Sequence, residues 1–215
     1  MKGGVDVIYS DADIVVVDKP AGRYVHAAPG HEEGSIADEL VARFPEMAKV
    51  GSAERPGVVH RLDAETSGVM VFARNRGAYL ALRRAFESHR GVEKTYLAVL
   101  HGAPDPLAGT LDGPVGRERL RAVTHWRTLG RKGPLALVEF KIETGRMHQI
   151  RIHAKELGHP IAGDRLYGDR ERDARLRVRP RRLLLHAVEL AFPHPATGER
   201  VVFAAPPPPD IVYSV

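Results

Sequence analysis

Apolar and polar positions along the chain alternate in two rhythms. Val58-Val59 lead into, and Val69-Met70-Val71-Phe72 lead out of, a short polar connection, a pattern that predicts strand, turn, strand. Residues 91–100 are rich in strong β formers and predict a further strand with Tyr96 near its start. Residues 123–128 and 135–142 predict a hairpin, with the basic stretch 129–134 as its tip. The helical rhythm predicts helices over 35–43 and 75–88, the second with Tyr79, Leu82 and Phe86 on one face and Asn75 as its cap. In the stretch 147–157, Ile150, Ala154 and Leu157 fall at helical spacing, and Gly158 with Pro160 supplies a stop. Residues 204–210, with four consecutive prolines, predict an extended surface segment. Strands outnumber helices and often adjoin without a crossover. The pattern therefore predicts an α+β fold with a mixed, largely antiparallel sheet flanked by helices and loops.

Length and composition narrow the picture. At 215 residues, 43% of them hydrophobic, the chain can bury one sizeable core, and it reads as a single domain over 1–215. The absence of cysteine excludes disulfides, thiolate metal sites and cysteine nucleophiles. No apolar segment follows Met1-Lys2-Gly3-Gly4, and no run approaches the ~20 residues of a membrane span, so a soluble cytoplasmic protein is expected. His148 and His153, five apart, would diverge by about 140° around a helix, and no metal or other cofactor is expected. The formal charge is +5, and arginine supplies 25 of the 32 basic residues. Seven arginines against Glu171 and Asp173 give the segment 170–182 an excess of 7 − 2 = +5. That segment is either a contact for a polyanion or a solvated loop, and Pro180 argues against one continuous helix through it.

Three segments carry candidate chemistry. In His60-Arg61-Leu62-Asp63-Ala64-Glu65-Thr66-Ser67-Gly68, Asp63 sits in a turn with Arg61, Thr66 and Ser67 at hand, which suits a nucleophilic carboxylate and equally an ordinary Asx turn. Tyr96 could serve the core, or stack on a flat base and exchange a proton. On the third segment, Arg151 lies one helical turn from His148 and near Lys155, a cationic face able to hold a carboxylate or meet a phosphate backbone.

Taken together and in order, these segments resemble the pseudouridine synthases that act on bacterial ribosomal large-subunit RNA and tRNA. The family signature His-Arg-Leu-Asp-x-x-Thr-Ser-Gly is matched in full at 60–68. Residues 13–22 resemble the family's opening strand and Lys-Pro-x-Gly turn, and Lys94-Thr95-Tyr96-Leu97-Ala98 its tyrosine strand. Thr144-Gly145-Arg146 through His153, then Gly163-Asp164 and Tyr167-Gly168, resemble its third region, and Leu184-Leu185-His186-Ala187 with His194-Pro195 its C-terminal one. Met147 stands where the family commonly has Thr, and Lys155 where an apolar residue is frequent.

The resemblance implies an isomerase that turns uridine into pseudouridine without a cofactor. By similarity Asp63 is the nucleophile, Tyr96 stacks on the uracil and acts as a base, and Arg151 pairs with the Asp63 carboxylate. Arg61 helps displace the nucleotide, and Lys19, Arg146, His148 and Gln149 join it in binding RNA. The expected partner is a stem-loop of rRNA or tRNA, and the expected state is a monomer. The family's frequent N-terminal RNA-binding domain is expected to be absent, since the opening strand begins within about fifteen residues of Met1. Two other readings stand beside this one: an RNA-binding protein of the same fold without catalysis, and a glycoside-cleaving hydrolase, which would need a second working carboxylate such as Glu65.

Overall fold

The computed structural model describes residues 4–27, 30, 33–116 and 118–212. In chain order the elements are β1 (Asp6–Ser10), β2 (Ile14–Lys19), α1 (Ile36–Arg43), β3 (Gly51–Ser52), β4 (Arg55–Pro56), β5 (Ser67–Ala73), α2 (Arg76–Ser88), β6 (Glu93–His101), β7 (Ala108–Val115), β8 (Leu120–Lys132), β9 (Leu135–Ile142), α3 (Gln149–Glu156), α4 (Arg170–Arg175), β10 (Leu185–Pro193), β11 (Arg200–Ala204) and α5 (Pro209–Val212). The fold is α+β, with a mixed, largely antiparallel sheet and a few helices. The chain divides into two compact units, Met1–Glu93 with Glu189–Ala205, and Lys94–Val188 with Pro206–Val215.

In the first unit β2 pairs antiparallel with both β1 and β5. Every residue of β5 is buried, which is why this strand shows an unbroken apolar run and no alternation. Val58 forms one isolated bridge to Phe72, so Val58-Val59 do not make the strand their sequence predicts. Polar, turn-forming neighbours on both sides leave too short a run to build a ladder. The predicted helices form: Ser35 and Asp38 make a reciprocal capping box on α1, and the Asn75 side chain caps α2. The buried stripe of α2 is Ala78, Leu82 and Phe86, while Tyr79 is half-buried.

In the second unit β6, β9, β8 and β7 pair in that order, all antiparallel. The β8–β9 turn is tighter than predicted. Ladder pairing reaches Lys132 and Leu135, and Gly133, at φ 58°, takes the left-handed conformation that so short a connection requires. A register shift between Thr128 and Gly130 absorbs the irregular sequence there. β7 was not legible in a sequence of two glycines and a proline; it is held as an outer strand, where Pro114 is tolerated. A Cβ at Gly109 would stand 2.4 Å from the Trp126 ring, so the glycine lets the indole lie against the strand. The segment expected to be extended over 204–210 is so only in part, because Pro209 opens the short helix α5. Among the described residues no helix is long and apolar enough to cross a membrane.

Candidate active site

In the first unit the Asp63 loop is fastened from below. Lys19 is completely buried, and its Nζ donates to the carbonyls of Pro20 (3.0 Å), Arg23 (2.8 Å) and Ala64 (2.9 Å). Three carbonyls match the three protons of an ammonium, so the charge is solvated by backbone instead of water. The Ala64 carbonyl also accepts the Gly22 N–H at 2.7 Å, which joins the Lys19–Gly22 turn to the residue after Asp63. The Asp63 carbonyl accepts the Thr66 N–H at 3.1 Å, and Thr66 and Ser67 are buried. His60 accepts the Val71 N–H through Nε2 at 3.1 Å, which assigns the ring proton to Nδ1, and stacks on Phe86 at 4.5 Å between centroids. The Asp63 residue itself is half-buried, and Arg61 is exposed. Lys19, placed at the RNA by resemblance, is instead spent on holding this loop.

In the second unit Arg151 on α3 is buried, and its Nε and Nη2 donate in parallel to Oδ2 and Oδ1 of Asp164, both at 2.8 Å. Asp164 also accepts the N–H groups of Leu166 and Tyr167 through Oδ1. Burial pushes the Asp164 carboxyl up, but these hydrogen bonds outweigh it and hold the group below the usual carboxylate range. The turn that places it closes with Gly168 N–H to the Asp164 carbonyl at 3.0 Å, where a Cβ on Gly168 would stand 2.1 Å from that oxygen. The Tyr167 ring lies 5.3 Å from the Arg151 guanidinium carbon, and its hydroxyl meets His148 Nδ1 at 3.1 Å. Asp164 and Tyr167 had no assigned role in the sequence, although both lie in matched motifs.

The segment before α3 has its own staple. The buried Gln149 accepts from Thr144 Oγ1 (2.8 Å) and the Arg146 N–H (3.0 Å), and donates to Val123 O (3.0 Å) and Thr124 Oγ1 (2.9 Å). Its amide is therefore committed inside the unit, and the expected RNA contact at Gln149 is replaced by a structural one. Arg146 is exposed, with Nε on the Arg121 carbonyl. Tyr96 is buried on β6, on the same face as Lys94. Lys94 is itself buried, and desolvation pushes its ammonium down to about 8. Among the described residues no group of three or more His, Asp and Glu side chains is arranged to hold a metal ion.

Residues 13–156 match the family model described as RNA pseudouridylate synthase, and the chain belongs to that family of isomerases. It is 42% identical over 99% of its length to an RNA pseudouridine synthase of Mycobacterium bovis, of which it covers 72%. It is 39% identical over 97% of its length to the ribosomal large subunit pseudouridine synthase D of Neisseria meningitidis, of which it covers 60%. Among other curated relatives it spans 66% of a Synechocystis synthase and 70% of one from Bacillus subtilis. Of solved structures, human RNA pseudouridylate synthase domain containing 4 superposes with a TM-score of 0.80 at 29% identity, over 97% of this chain and 91% of that one.

The burial of Lys94 makes a stability prediction. The folded group titrates near 8 and the unfolded one near 10.5, so between those values the unfolded chain binds more protons and stability rises with pH. Below about pH 8 the whole penalty of burying the charge is present. Lys94→Met should therefore stabilise the protein at pH 7, by about 1–3 kcal/mol in denaturant titrations, with the advantage shrinking toward pH 10.

Proposed function

We propose that this chain isomerises a uridine in a stem-loop of rRNA or tRNA to pseudouridine, with Asp63 as nucleophile, Tyr96 beneath the uracil and Arg151 as the partner of the Asp63 carboxylate. The observation that carries the reading is the family match, whose span of residues 13–156 includes all three residues. A relative named for the ribosomal large subunit supports an rRNA target. The whole chain acts as one catalytic domain, a monomer of the cytoplasm that needs no cofactor.

The reaction breaks the N1–C1′ bond, turns the base and rejoins it through C5, with no net redox change. The Asp63 carboxylate assists by attacking C1′ or by adding to C6, and along the first route a base such as Tyr96 takes a proton from C2′. A guanidinium beside the carboxylate keeps it charged as RNA excludes water. The target must leave its stack, at a cost of a few kcal/mol that is least in a loop. Stacking on Tyr96, worth roughly 1–3 kcal/mol, offsets part of that. Arg61 and Arg146, both exposed, and His148, held by the Tyr167 hydroxyl, serve as contacts for phosphates in this reading. The alternative, an RNA-binding protein of this fold without catalysis, differs in making no product.

Asp63→Asn should fold and bind RNA yet form no pseudouridine on unmodified rRNA and tRNA transcripts, as read by mass spectrometry with a pseudouridine-specific label. Product from the Asn variant, with deamidation excluded, would remove Asp63 from the mechanism. The arginine segment is tested through salt. Arg172, Arg175 and Arg182 have carboxylate partners in Asp169, Glu171 and Asp210, whereas Arg177, Arg179 and Arg181 are exposed without one among the described residues. Replacing these last three by Gln should lower the slope of log affinity against log salt by about 2. An unchanged slope would make the segment a solvated one.

A further inference from the structure

Three cations are buried among the described residues: Lys19, Lys94 and Arg151. Lys19 spends its charge on three carbonyls and Arg151 on Asp164, but Lys94 has neither hydrogen bond nor ion pair among the described residues. An ammonium largely withdrawn from water without a partner is costly, and an anion that reached its solvent-facing Nζ would return part of that cost. Its surroundings leave room for that ligand. A Cβ at Gly145 would stand 3.6 Å from Lys94 Nζ, an ordinary contact that would cover the ammonium, and the glycine leaves this approach bare. Gly145 does not adopt a left-handed backbone, so the conformation alone does not call for glycine there.

We propose that Lys94 Nζ receives a non-bridging phosphate oxygen of the RNA, adjacent to the extruded nucleotide, through the opening left by Gly145. The proposal rests on the RNA-modifying reading given above. Lys94 precedes Tyr96 by two positions on one strand face, about 6.6 Å along β6. That offset is comparable with the reach from a stacked base to its own phosphate. A full negative charge is the fitting ligand, because a neutral carbonyl returns less of the desolvation that the ammonium has already undergone.

Binding and turnover are to be measured separately, on transcripts of large-subunit rRNA and tRNA, with wild type, Lys94→Met and Gly145→Ala. Lys94→Met should weaken RNA binding about tenfold to a hundredfold and reduce the salt slope by about 1, while the single-turnover rate at saturating RNA stays within about threefold of wild type. Gly145→Ala should weaken binding severalfold with an unchanged melting temperature. Unchanged affinity in Lys94→Met overturns the proposal. So does a loss confined to the saturated rate, which would put the ammonium at the reacting base. Absence of product from wild type would count against the enzymatic reading alone, since the affinities still decide the role of Lys94.

Discussion

The parallel pair between Arg151 and Asp164 is the constraint on which the second unit's chemistry depends. Both side chains are almost wholly buried, at 4% and 1% exposure, where an imperfect ion pair would destabilise more than it contributes. Here the geometry is bidentate, and two backbone N–H groups from the following turn complete the carboxylate's shell. The result is a guanidinium with a fixed plane and direction. Neither helix propensity nor the covering Tyr167 ring would give that direction alone. Preorganisation of this kind places a charge before substrate arrives, so that none of the ordering is left to the reacting complex.

The buried cations show three ways of handling one electrostatic problem. Lys19 is solvated by carbonyls and stabilises a loop; Arg151 is neutralised by a carboxylate and becomes a rigid tool; Lys94 keeps its charge uncompensated in the free protein. The order runs from pure structure to a stored demand for an anion. Each clamp holds a candidate catalytic element: Lys19 grips the residue after Asp63, and Asp164 grips Arg151 itself.

Much of this was readable from the chain, and the misses have physical causes. α2 and α3 follow from periodicity and stop signals, because their apolar faces and caps are local facts. β7 did not, because its Gly109 answers to Trp126 on the neighbouring strand, a tertiary partner invisible in the local pattern. The internal hydrogen bonds of Lys19 and Gln149 are hidden from the sequence for a related reason. Polar residues in a nucleic-acid-binding motif invite assignment to the ligand, whereas burial turned these two inward, onto backbone and neighbouring hydroxyls. Asp164 went unassigned because nothing in sequence spacing announces which carboxylate will lie opposite a given arginine.

The acidic residues of the arginine-rich segment are not equivalent. Asp173 accepts from the Gly163 N–H and meets the buried His101 at 2.8 Å, so it fastens α4 to the unit, whereas Glu171 pairs with Arg175 at the surface. An engineer wishing to raise the cationic character of this rim could therefore neutralise Glu171 and leave the scaffold alone. The same edit at Asp173 would unmoor the helix that carries the charge, and a gain in electrostatic attraction would be forfeited as lost order.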